Sequence, residues 1–498
     1  MSSRRLCFLN ESLDDTHMKI SRTNVLLEPD SKRVLLRPFE PTSEERTSRI
    51  IARILALPEE KVKDEIVQVL DEFGGRHRNL QDFFLRRFAQ VTQSQTPGQP
   101  LSQERKLLIG AYFAQEYALE SAALFNPSMV WHPDQTGVPP GHRRFILSLR
   151  ATGEGHISSI TFRSGIIDTD GHIVMDQPTP FVTTPEVVAD SSYEKAPFER
   201  KLLELGFEND FADRVLSALA RAFTRAELEQ AVRSALHQSD RRTADTETAN
   251  GILSLAQSNY EVIFSRTQPL CERVLFPTSR AEMNGLEDAR FVELVDDHGS
   301  TYYATYTAYD GKVILPQLLE TKDFVHFKIS TLHGEEIVNK GMALFPRKIK
   351  GRYTMLSRQD NENMYIMFSD HIHFWHTKKL LLSPARPWEF VQLGNCGSPI
   401  ETEAGWLVLS HGVGPVRKYT LGAFLLDLDD PTKVIGRLKE PLLSADKDER
   451  EGYVPNVVYS CGGLIHGKKL ILPYAVADYA TSFAIVDLNA LLEELTAS

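Results

Sequence analysis

Cysteine is scarce in this sequence: Cys7, Cys271, Cys396 and Cys461 are spread over 498 residues, with no C-x-x-C pair among them. That spacing excludes a disulfide scaffold or a zinc ribbon and fits a reducing compartment. No apolar run approaches the roughly 18 residues that a membrane span needs, so no membrane partner is expected. The first residues, "MSSRRLCFLNESLDDTH", lack the apolar core of a signal peptide, and acids follow the arginines at once. A cytoplasmic location is expected, with Met18 as a candidate start. A basic stripe is also missing. The formal charge of -11 and a pI near 5.8 argue against a nucleic-acid partner.

What is present is ordinary globular composition, 42% hydrophobic and 25% charged, over a length that implies two or more structural units. The first quarter reads as helical. "PTSEERTSRIIARILAL" places Thr42 at capping-box spacing before Glu45, and Ile50, Ile51, Ile54 and Leu55 recur at helical intervals. Pro58 opens a second helix that Gly74 and Gly75 end. "NLQDFFLRRFAQV" gives a third, "TQSQTPGQP" a linker, and "LSQERKLLIGAYFAQEYALESAALF" a fourth.

After Asn126 short β-rich runs appear, broken by Gly, Asp and Pro. Helix returns from about Pro197 to Leu255, its tail "SDRRTADTETANG" charged and expected to be loose. From Tyr260 strands and tight turns continue almost to the closing helix "LNALLEEL". So many short strands suggest a sandwich, a barrel or a propeller, and loosely related units favour radial repetition.

One charged stretch stands where an apolar run begins: "MNGLEDARFVEL", Met283 to Leu294. In a regular strand, residues i and i+2 share a face. Asp288 and Arg290 are then expected on one side and Glu287 on the other, so the two acids cannot form a dyad. A plain structural ion pair is the simple alternative.

"NGLEDARFVEL...YYATYTAYDG" resembles the hallmark of glycoside hydrolase family 130, the β-mannoside phosphorylases and mannosidases. "LFNPSMV", "ALFPRKIKGRYTMLSR", "GSPIETEAGWLVLSHGV", "YTLGAFLLDLDDPTKVIGR", "EGYVPNVVYSCGG" and "LPYAVADY" follow in the family's order. The resemblance implies a mainly β fold: a five-bladed β-propeller with an N-terminal α-helical region and a helical insertion. The expected boundaries are 1–123 for the helical region, 124–196 and 256–498 for the propeller, and 197–255 for the insertion. It also implies a sugar pocket on the axis, an inverting reaction, no metal or other cofactor, and Asp288 as the proton donor.

Inverting hydrolysis needs a second carboxylate to activate water, typically about 6.5–9.5 Å from the acid. Phosphorolysis needs a cationic cradle instead. Carried over from the family's pattern, Lys340 and Arg358 are the cradle's cations, with His411 and Tyr419 completing it, while Gly341 stands where an asparagine is usual. Phosphorylases place lysine in a "PIKT" segment; here "PIET" puts Glu401 there. A carboxylate about 4 Å from phosphate costs on the order of 4 kcal/mol per charge pair at an effective dielectric of ~20. The expectation is therefore hydrolysis of β-linked mannosides, with Glu401 as candidate base. The alternatives are a phosphorylase releasing mannose 1-phosphate and a non-catalytic sugar-binding propeller. Glu401 could instead be a turn residue paired with Lys340 or Arg358.

The remaining substrate-binding candidates are Asn126, Arg150, His156 and Asp478 by resemblance, with Arg290 as a side chain that could point at the sugar and Tyr309 as a ring that could stack on it. Arg150 could equally pair with acids across strands, Asp478 could be a turn aspartate, and Trp131, Tyr309 and Trp406 could be core. His156 lies in "GEGHISS", which lacks the helix and Gly-Lys-Ser/Thr of a phosphate loop. His371 and His373 in "HIHFWH" share a strand face but have no companion cluster, so a solvated edge is expected rather than a metal site. The expected partners are an oligosaccharide substrate, inorganic phosphate in the alternative reading, and a second copy of the chain through the helical segments.

Overall fold

The computed structural model describes residues 20–93, 100–188, 192–238, 242–297 and 299–497. Cys7, Met18 and most of the expected linker lie outside this range. The protein is mainly β, with its helices concentrated in two places.

Four helices, Glu44–Leu55, Glu59–Phe73, Leu80–Val91 and Gln103–Tyr112, share a core that includes Ile51, Ile54, Val62, Ile66, Phe84 and Leu108. Ser43, not Thr42, caps the first, its side chain accepting from the Arg46 N–H. Gly110 lets the last helix press against Phe84, whose carbonyl oxygen would lie 1.9 Å from any added Cβ. That helix stops at Tyr112, well short of the expected end, because Ala114–Ala118 pairs antiparallel with Val34–Pro38. The expected helical region 1–123 is thus not all helix. Its strand Ile20–Leu27 pairs with Ala480–Asp487 at the far end of the chain.

The second helical segment comprises Lys195–Glu204, Asp210–Ser217, Arg225–His237 and Arg242–Gln257. The tail expected to be loose is helical from Arg242, because Ala249, Ile252, Leu255 and Ala256 line one face and pack on Phe198, Phe211 and Leu228.

Among the described residues the remaining strands form a two-stranded pairing of Ser192–Glu194 with Ala222–Thr224, an eleven-stranded sheet, and sheets of four, six and five strands. The largest is two antiparallel sets, begun by Ala123–Trp131 and Gly285–Asp296, joined by the single parallel pairing of Gly285 with Ser158. The last sheet returns to the first: the Leu124 N–H donates to the Tyr479 carbonyl, and the Thr481 hydroxyl donates to the Leu124 carbonyl. A backbone device recurs along these sheets. Asn126 (φ 50°), Asp288 (54°), Gly341 (89°), Gly397 (96°) and Gly462 (142°) take positive φ at or beside the opening strand of successive sets. At Asn126 and Asp288 the pairing register also shifts, which marks a bulge.

Candidate active site

The bulge at Asp288 overturns the expected alternation. Arg150 donates through Nη2 to Glu287 Oε1 at 2.6 Å and through Nη1 to Asp288 Oδ1 at 3.2 Å, so both acids meet one guanidinium. A positive φ on a non-glycine residue costs on the order of 1–3 kcal/mol and survives only where surrounding contacts enforce it. Here they do. Asn126, itself on a bulge, donates its amide to Asp288 Oδ1 at 2.6 Å, and Arg150 Nε donates to Ser158 Oγ at 2.8 Å. Lys340 Nζ lies 3.6 Å from Glu287 Oε2. Arg290 is buried, donating to the Tyr459 hydroxyl at 2.5 Å and leaning on the Asp288 carbonyl at 3.5 Å.

Burial alone would raise the Asp288 pKa. Arg150, Lys340, Arg290 and the Asn126 amide outweigh it and hold the carboxyl well below the usual range, so it stays ionised. Asp478 shows the opposite balance. Half-buried, it is pushed up to about 7 by burial first and by the Asp288 charge second, against the pull of Arg150, Arg417 and Lys340.

Beside this pair lies a cationic and aromatic group. A Cβ on Gly341 would sit 2.5 Å from Arg358 Nε, and one on Gly394 would sit 2.4 Å from His411 Cε1 and 3.0 Å from Arg358 Cδ. The glycine in place of the usual asparagine is therefore what gives the Arg358 side chain its room. An asparagine from elsewhere, Asn395, donates to the Gly341 carbonyl at 2.7 Å. His411 is fully buried, stacked on Tyr419 with centroids 6.0 Å apart and set edge-on to Tyr459 at 5.0 Å. Burial, then Arg358 and Arg290, push its pKa well below the ordinary value, so the imidazole is neutral. Among the described residues, Asn126 Oδ1, Arg290 Nε, Arg358 Nε and His411 Nε2 are buried polar atoms with no hydrogen-bond partner. Such atoms are rare, and together they point to a ligand.

Other expected residues have partners outside this cluster. Both Glu401 oxygens are bound by Arg347, Nε to Oε2 and Nη2 to Oε1, each at 2.7 Å. Arg347 lies over the Trp406 ring, and the Glu401 side chain is 43% exposed. Its partner is thus neither Lys340 nor Arg358. Arg347 also lowers its pKa, which weakens it as a base. The Tyr309 hydroxyl donates to the Gly311 carbonyl within its own turn. His156 (φ 60°) meets the Tyr453 hydroxyl at 2.9 Å through Nδ1. Trp406 is fully buried against Phe345 and serves the core.

Two residues of the cluster were not anticipated as functional. Glu287 was excluded by regular alternation, and only the bulge brings it to Arg150. Tyr459 stands in the quoted "EGYVPNVVYSCGG", and Arg290 alone reveals its use.

A mainly β body that gathers an ionised carboxylate, cations and orphaned polar atoms in one place has the site of an enzyme, of the glycoside hydrolase or glycoside phosphorylase class. Residues 239–496, just over half of the chain, match the family model described as beta-1,4-mannooligosaccharide phosphorylase. The chain belongs to glycoside hydrolase family 130. It is 36% identical over 224 residues to a 1,2-beta-oligomannan phosphorylase of a Thermoanaerobacter species, spanning 43% of this chain and 73% of the relative. It is 33% identical over 230 residues to a beta-1,2-mannobiose phosphorylase of Listeria innocua, spanning 44% and 63%. The solved structure of a Listeria innocua beta-1,2-mannobiose phosphorylase with β-1,2-mannobiose aligns over 76% of this chain and 93% of its own, with 23% identity and a TM-score of 0.46. Asn126, Arg150 and His156 fall outside the family match.

Proposed function

We propose that this chain is a β-mannoside phosphorylase. Inorganic phosphate attacks the anomeric carbon of a β-linked mannosyl residue, the bond to the leaving sugar oxygen breaks, and α-mannose 1-phosphate forms with inversion. The observation that carries this reading is the group Arg290, Arg358 and His411, with unpartnered buried nitrogens beside Asp288. Glu401, expected from the sequence to activate water, has both oxygens on Arg347, and hydrolysis loses its base. The phosphorylase relatives support the same choice.

In this reading Lys340, Arg358, His411 and Tyr419 receive phosphate, and Asn126, Arg150 and Asp478 hold the sugar. Asp288 serves as the acid but is ionised in the free enzyme, so it needs a supply of protons. Asp478 is the carboxyl that holds one near neutrality. A hydroxyl of the bound sugar passes it to Asp288 and on to the leaving oxygen, and the proton of the incoming hydrogen phosphate restores the balance. The recurring positive-φ residues and the bonding of the last sheet to the first support a ring of five blades over 124–196 and 256–498.

The test is incubation with β-1,2- and β-1,4-mannobiose, with and without phosphate. Mannose 1-phosphate formed only when phosphate is present is the expected result. Free mannose released at an equal rate without phosphate overturns the proposal.

A further inference from the structure

Three turns between long paired strands carry two left-handed residues in a row. Turn 153–157 joins Arg143–Thr152 to Ser158–Ile167, turn 414–418 joins Gly405–Val413 to Tyr419–Leu426, and turn 477–479 joins Lys469–Val476 to Ala480–Asp487. Gly155 and His156 take φ 65° and 60°, Val416 and Arg417 take 56° and 55°, and Ala477 and Asp478 both take 49°. The first two turns are backbone copies of each other. Their opening glycines share φ -109°, with ψ -154° and -157°. The Gly153 N–H donates to the Ile157 carbonyl at 3.1 Å, as the Gly414 N–H does to the Lys418 carbonyl at 3.0 Å. His156, Arg417 and Asp478 thus stand at one position in three turns. Two of them, His156 and Asp478, are candidates for the sugar, which leaves Arg417 as the third.

One segment ties the turns together. The Val454 N–H donates to the Ala477 carbonyl at 2.8 Å, and the Tyr453 hydroxyl meets His156 Nδ1 at 2.9 Å. The Tyr419 N–H, just past Arg417, donates to the Asn456 carbonyl at 3.1 Å. The Arg417 charge is felt at Asp478. Its side chain is exposed and makes no hydrogen bond or ion pair among the described residues. Five N–H donors are therefore open on the side of the site that Asp478 lines.

Val416 sharpens the point. Glycine fills its place in turn 153–157, where a left-handed φ carries no strain, whereas a β-branched residue there is a genuine outlier. Strain of this kind clusters at functional sites. The valine gives the core nothing in return, since it is 92% exposed. A strained apolar group with nothing inside the chain to pack on, next to an arginine with open donors, suits a ligand that is apolar on one face and ringed by hydroxyls. A sugar is such a ligand. Depth says which one. Asp288, Arg358 and His411 are buried and Asp478 is half-buried, so phosphate and the transferred mannosyl residue belong inside. Val416 and Arg417 are both exposed and meet what extends outward, the sugar that leaves.

We propose that Val416 and Arg417 seat the leaving sugar, the guanidinium fork bonding its hydroxyls and the isopropyl group covering its C–H face, and so set which sugar is accepted there. Calling that sugar the leaving group rests on the phosphorylase reading; the seat itself rests on the turn.

The test runs the reaction in reverse on the full-length chain, with mannose 1-phosphate as donor and mannose as acceptor. Arg417→Ala should raise the KM for mannose about tenfold and leave that for mannose 1-phosphate within about twofold. Val416→Gly should raise the KM for mannose about threefold without lowering the melting temperature, because glycine relieves the strained φ. An unchanged KM for mannose in Arg417→Ala, or an equal rise in the KM for mannose 1-phosphate, overturns the proposal. A Val416→Gly chain that melts several degrees lower shows that the valine serves the fold and overturns its part. Should the wild type hydrolyse mannobiose instead, the phosphorylase reading falls and the seat is judged by hydrolysis. Arg417→Ala should then raise the KM for mannobiose about tenfold and leave that for 4-nitrophenyl β-mannoside, which has no second sugar, within about twofold; equal effects overturn the seat. A wild type that does neither overturns both.

Discussion

At Asp288, backbone strain, charge and chemistry meet in one side chain. Its carboxylate is surrounded by two arginines, a lysine and an amide, so replacing it alters charge without emptying a core. Asp288→Asn should lower turnover by about 10²–10⁴-fold, the usual contribution of a positioned acid. Its far-UV circular dichroism should match the wild type. Glu401→Gln should leave turnover within about twofold, since a half-exposed ion pair contributes only about 0–1 kcal/mol; a hundredfold loss would restore it as a base. Asp478 gives a pH signature. Its folded pKa is about 7, above the unfolded value, so its protonated form stabilises the fold below the unfolded pKa and that contribution is lost as pH rises through 7. Asp478→Asn should therefore melt at a higher temperature than wild type at pH 8, a difference that disappears near pH 4. Wild-type turnover should decline as pH rises above 7, and Asp478→Asn, which has no proton to pass on, should turn over slowly at every pH, checked by the pH profile of both proteins.

At the scale of elements, two glycines carry the site's geometry. Gly394→Ala would push against His411 and Arg358, so the KM for phosphate should rise about tenfold while the KM for the mannoside changes little. Kinetics with each substrate varied in turn checks this. The strands, their turns and most helices were legible from periodicity, and the hallmark around Asp288 located the site. The bulge was not legible: regular alternation separates Glu287 from Asp288, and nothing in "GLEDARF" announces a positive φ on an aspartate. Glu401 misled for a related reason. Its place in the "PIET" segment was visible, but Arg347, the residue that engages it, lies in another sheet's turn and is brought near only by the fold. The fourth helix was overread because "AQEYA" suits helix or strand, and its pairing with Val34–Pro38 decides between them.

At the scale of the molecule, the sheets depend on distant pairings. Ile20–Leu27 completes the last sheet beside Ala480–Asp487, and Leu124 is bonded to Tyr479 and Thr481. Removing residues 1–27 should expose the edge of Ala480–Asp487 and lower the melting temperature by several degrees, with more light scattering on heating. An unchanged melting curve would show that strand to be dispensable.

The pairing of Ile20–Leu27 with Ala480–Asp487 also bears on biosynthesis. The ribosome releases the first of these segments long before the second exists, so the sheet they share can form only once the later segment has been made. A chain cut short before Ala480 would leave that early strand unmatched, an invitation to pair with a neighbour instead of with itself.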